Sequence, residues 1–118
     1  MMTPETKEAI EAAAPQAIVV LVLSWKNEVP RTELAQTSDR AERRRLLGEF
    51  FSRVKRPFLD EVTKQPDVHV TNSLDGTNQA IVEGPAHVWQ CLIRKPGSIL
   101  MSDRVEVTAN TMSGYALH

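Results

Sequence analysis

The side chains able to do chemistry are few and scattered. His69, His87 and His118 stand far apart, with no His-x-His, His-Glu-x-x-His or Cys-x-x-Cys spacing to converge ligands on a metal. Cys91 is the single cysteine. A thiolate nucleophile needs a base beside it, and the sequence supplies none. Cys91 therefore reads as a small buried hydrophobe of a helix, and an internal disulfide has no second partner. Asp60, Glu61, Asp67 and Asp75 are carboxylates of the kind that do acid–base work, but nothing pairs them on a recognisable scaffold and they read as solvated charges. Ser73 and Ser98 fall in turns outside any Gly-x-Ser-x-Gly elbow. Five glycines, none clustered, exclude a phosphate loop and a dinucleotide fingerprint. No catalytic residue, metal site or cofactor is expected, and the chain reads as a non-enzyme.

Two features speak of recognition instead. Arg40, Arg43 and Arg44 share one face of a helix by their i, i+3 and i+4 spacing. Cations at a helix N-terminus oppose the macrodipole, which marks a contact for an acidic partner or for RNA unless Asp39, Glu42 and Glu49 simply balance a solvated face. Trp89 follows Val88, and both cannot point straight into a one-sided core; Trp89 is thus a second partner-contact candidate. Composition narrows the partner. Fourteen Lys and Arg against fifteen Asp and Glu leave a net charge of −1, so the whole chain is not drawn to nucleic acid or to an anionic membrane. Aromatic residues make up 5%, too few for platforms that stack bases. The longest apolar run, Ala17 to Leu23, falls far short of the roughly 20 residues of a membrane span, and Met1 to Ala14 lacks the apolar stretch of a secretory signal. A cytoplasmic location is expected.

Such residues need elements to hold them. With 118 residues, one domain is expected. Thr3, Pro4 and Pro15 bracket a short N-terminal helix with one large apolar residue, Ile10, so it should be peripheral. Residues 16–25 are rich in β-branched side chains and apolar on both alternating faces, the look of a central strand. Asn27 to Arg31 reads as a loop. Leu47, Phe50, Phe51, Val54, Phe58 and Val62 form the apolar stripe of a helix over 38–64, capped by Thr37 or Ser38 and kinked or stopped at Pro57. Residues 67–72 alternate as a strand, Asp75-Gly76 marks a hairpin turn, and 78–83 is the returning strand. A helix over 85–94 turns Val88, Trp89, Leu92 and Ile93 to the core. Ser98 to Met101 reads as the last strand, with one more alternating stretch at Val105-Glu106-Val107 beyond it.

The order β-α-β-β-α-β predicts an α+β fold, the ferredoxin-like plait: an antiparallel four-stranded sheet with two helices on one face. Residues 1–15 form the peripheral helix, 16–102 the plait and 103–118 a C-terminal extension. Within it, Asn72-Ser73-Leu74-Asp75-Gly76, the small apolar run Ala80-Ile81-Val82, helix residues Val88 and Leu92, the Pro96-Gly97 turn and the pair Ile99 and Met101 resemble a subtilisin propeptide or one of the related proteinase inhibitors. The resemblance implies that the sheet face packs on a subtilisin-like serine protease. It also implies that the C-terminal residues enter the active-site cleft as an added strand. Tyr115, Ala116, Leu117 and His118 would then be the protease-binding tail, with His118 at the primary specificity pocket. The departures are a longer first helix and a longer C-terminal extension. The expectation is a propeptide-like inhibitor, chaperone or recognition module. The alternatives are a ligand-binding or dimerising plait, its sheets packed face to face, or a scaffold subunit of a larger assembly.

Overall fold

Strand β1 (Ile18–Trp25) is the axis of the molecule in the computed structural model, which describes residues 1–27, 29 and 31–110. Around it stand α1 (Pro4–Ala12), α2 (Arg31–Ala35), α3 (Arg40–Thr63), β2 (His69–Asn72), β3 (Gln79–Pro85), α4 (Ala86–Arg94), a 3-10 turn (Ile99–Met101) and β4 (Val105–Asn110). The fold is α+β. Its four strands form one antiparallel sheet in the order β2-β3-β1-β4. The most β-branched run of the sequence therefore lies at the centre, hydrogen-bonded on both sides. Leu21 faces Val82 on β3 and Ala109 on β4.

Period-two alternation sends Leu21, Leu23, Trp25, Ala80, Val82, Val105 and Val107 to one side of the sheet, where all are buried. That side receives Phe58 and Val62 of α3, Val88, Trp89, Leu92 and Ile93 of α4, and Ile10 of α1, in a single apolar core. Trp25 and Phe58 meet edge to face with ring centroids 5.5 Å apart, a geometry the ring quadrupoles favour.

Several sequence expectations change. The last strand is β4, not 98–101. After the Pro96-Gly97 turn the Ser98 hydroxyl oxygen accepts from the Leu100 N–H at 3.2 Å, closing a 3-10 turn. The fully buried residue there is Leu100, while Met101 is exposed. Residues 105–110 are thus part of the sheet, not of an extension. The N-terminal helix is integral too. Ile10 is fully buried, and the Gln90 side-chain amide of α4 donates to the carbonyls of Ile10 at 2.9 Å and Ala13 at 3.1 Å, satisfying acceptors that a helix end leaves open. The Thr6 hydroxyl accepts from the Ala109 N–H of β4 at 3.3 Å.

Helix α3 runs through Pro57 without a break and starts on Asp39, whose carboxylate accepts from the Ala41 N–H at 2.9 Å. Pro57 removes one N–H from the helix ladder, but it is exposed while Phe58 and Val62 beyond it are anchored in the core. A short helix, α2, occupies residues expected as loop or left unassigned. Trp89 is fully buried, its indole N–H shared between the carbonyls of Val19 (3.2 Å) and Gly84 (3.1 Å). It is a core residue and not a partner contact. It fits beside Val88 because Gly84 leaves room: a Cβ there would stand 3.1 Å from the Trp89 ring and 2.9 Å from Val68.

Candidate binding faces

Helices α1, α3 and α4 all contribute to the core on that side of the sheet, and none of their described residues joins the other side. Alternation that buries Leu21 and Leu23 turns Val20 and Val22 outward, and the register sets Glu83 and Ile81 beside them on β3 and Thr108 beside Val22 on β4. His69 of β2 extends the row of Glu83 and Val20 to the sheet edge. Ile18 is 52% exposed at one end of this face. Val20, Val22 and Ile81 are half-buried. The face has an apolar centre inside a polar border of His69, Gln79, Glu83, Glu106 and Thr108. The β2–β3 connection at one end is drawn tight at Gly76, whose φ of +82° suits glycine, with the Thr77 N–H donating to Leu74 C=O at 3.1 Å.

Lys55 fixes that connection to the helical layer. Its side chain is 3% exposed, and its ammonium donates to the carbonyls of Ser73 (2.6 Å), Gln79 (2.9 Å) and Leu74 (3.2 Å). Burial pushes the ammonium below the ordinary lysine pKa, and the charge of Asp75 draws it partly back. No residue of α3 from Arg40 to Phe50 is fully buried. That half of the helix, about 16 Å long at 1.5 Å per residue, borders an open groove of about 710 Å³ lined by Arg45, Ser52, Arg53, Arg56 and Asp75. Arg45 is held by Glu42 and Glu49. The hydrogen bond with Arg45 holds the Glu42 carboxyl below the usual range, and the same contact raises the Arg45 pKa.

No match was found for the chain among protein-family models, curated proteins or solved structures.

Arg40, Arg43 and Arg44 are exposed as expected, and Arg43 donates to the Ser38 carbonyl at 3.3 Å. They stand on the helical layer and are not brought together with the uncovered sheet face. Asp39, at the cap, supplies the negative charge that offsets them at the helix start. Tyr115, Ala116, Leu117 and His118 lie outside the described residues. Cys91 is exposed, contrary to the buried role expected of it: in α4 the inward positions go to Trp89, Leu92 and Ile93, and residue 91 falls on the opposite face. Among the described residues no three His, Cys, Asp or Glu groups converge as metal ligands, and no helix is long and apolar enough to cross a membrane. The sequence resemblance pointed to the sheet face without naming its residues. Sequence reasoning missed Lys55, whose signal was a lone lysine inside the apolar stripe between Phe51 and Phe58.

Proposed function

We propose that the chain is a ferredoxin-like plait that works as a binding module, docking a subtilisin-like serine protease on its uncovered sheet face as propeptide-like inhibitors do. The observation that carries this reading is the apolar centre of that face, Val20, Val22 and Ile81, which α1, α3 and α4, packed on the other side, leave uncovered. The plait is supported by the order β2-β3-β1-β4, with α3 connecting β1 to β2 and α4 connecting β3 to β4.

Size bears on the kind of partner. Four strands about 4.8 Å apart and about six residues long present roughly 400 Å² in projection, about half of what one side of a standard interface buries. A partner that takes a second segment besides the sheet is favoured. The residues after edge strand β4 are suited to that by β-addition. Main-chain hydrogen bonds would supply affinity there, and the side chains Tyr115 to His118 would supply selectivity.

The test combines inhibition and mass. The full chain, and Ile81→Asp and Val22→Asp variants, are assayed against a panel of subtilisin-like proteases and examined by analytical ultracentrifugation. Inhibition by the wild type that either variant loses, with its melting temperature kept, supports the proposal. A wild type that inhibits none of the panel at micromolar concentration overturns the protease reading. A dimer that Ile81→Asp dissociates would establish the sheet-to-sheet alternative in its place.

A further inference from the structure

At the end of the sheet where β1 stops, α3 and the 3-10 turn part to leave a groove of about 400 Å³, within the range of small-molecule sites. Its floor is apolar: Trp25, Phe58 and Val105, all nearly buried, with Pro57 and Ile99 as walls. Its polar groups are Asn27, Ser102 and Arg104, every one able to donate a hydrogen bond. The Ser102 hydroxyl oxygen accepts from the Arg104 N–H at 3.2 Å, which leaves its own proton to donate. Arg104 has no ion-pair partner among the described residues. Among the described residues no carboxylate lines the groove. Asp103 stands in the adjoining cleft, where Lys26 is also present.

We propose that this groove binds a small amphipathic carboxylate, its aromatic or branched apolar body on Trp25 and Phe58 and its carboxylate on Arg104, with Asn27 and Ser102 in support. The chemistry follows from the lining. An apolar floor selects a hydrophobic body, and the planar fork of the Arg104 guanidinium selects a carboxylate. The site lies on the helical side of the sheet and is independent of the docking face.

The two tryptophans make the test specific. In a ¹H–¹⁵N spectrum of the labelled full chain, each indole N–H gives its own signal. Titration with 3-phenylpropionate to about 1 mM, an affinity of about −4 kcal/mol, should move the Trp25 indole signal. It should leave that of Trp89, locked to Val19 and Gly84, in place. The neutral 3-phenylpropanamide should bind about tenfold more weakly, and Arg104→Gln should remove that difference by weakening the acid alone. Arg104 is exposed, so an unchanged remainder of the spectrum confirms that this variant is folded. Equal binding of acid and amide by the wild type, an unmoved Trp25 signal, or undiminished acid binding by Arg104→Gln would each overturn the proposal.

Discussion

Replacing Lys55 by methionine keeps the stem of the side chain and deletes the ammonium that ties three carbonyls to α3. The Leu74 carbonyl keeps its bonds from Thr77. The carbonyls of Ser73 and Gln79 have Lys55 as their donor and lose it. Two acceptors left open in a part-buried place cost about 1–3 kcal/mol each. Relief of the buried charge and the apolar gain from the thioether offset some of that, leaving a net loss of about 2–3 kcal/mol. For a chain of this length about 1 kcal/mol corresponds to roughly 4 °C, so the melting temperature should fall by about 8–12 °C. Urea denaturation followed by circular dichroism gives the free energy. Hydrogen exchange should show faster exchange at Thr77 and its neighbours while the β1–β4 ladder keeps its protection. A variant within about 0.5 kcal/mol of wild type, the range of surface changes, would refute the reasoning, as would a loss spread evenly over the sheet.

Other expectations follow from the same geometry. Because burial holds the folded-state pKa of Lys55 below the ordinary 10.5, the folded chain releases that proton first. The unfolded chain then binds more protons between the two values, so the wild type should gain stability over Lys55→Met as pH rises through that window; denaturation series approaching pH 10.5 would show the gap closing if this is wrong. Gly84→Ala forces a Cβ to 2.9 Å from Val68 and 3.1 Å from the Trp89 ring, and should cost about 1–3 kcal/mol in urea denaturation. Asp39→Ala removes the cap of α3 and should cost about 1 kcal/mol, read as a drop in melting temperature. Cys91, exposed on α4, should react with a thiol reagent in the folded state at a rate near that of the unfolded chain.

Where one element's own pattern decided its structure, the sequence was informative. The β-branched run at 18–25 could only be a buried strand, and the spacing of Phe51, Phe58 and Val62 could only be a helical face. The Asp75-Gly76 pair marked its turn. What escaped notice depended on partners distant in the chain. The pair Ile99 and Met101 alternates like a strand, but Ser98 caps a turn and Leu100 between them is the residue the core takes. Helix α1 offers one large apolar residue, and its place is settled by Gln90, some 80 positions away. Trp89 beside Val88 is accommodated by the space over Gly84, which no local pattern announces. Of the candidate faces, the outward positions Val20, Val22 and Ile81 were implicit in alternation. The groove over Trp25 depends on residues of three separate segments and leaves no trace in local spacing.

The central position of β1 has a consequence for the way the chain comes into being. The strand that both neighbours need is made early, and Trp25 waits for Val105, its partner in the register, about 80 residues further along the chain. At about 5–20 residues per second on the ribosome, that wait lasts roughly 4–16 s. Throughout it one edge of the stickiest segment of the protein has no partner, since β3, made earlier, can cover only the other. Contacts of such long span also slow folding after release. Production in cells should therefore respond to chaperone supply and to slower synthesis at lower temperature more than to changes on the finished surface.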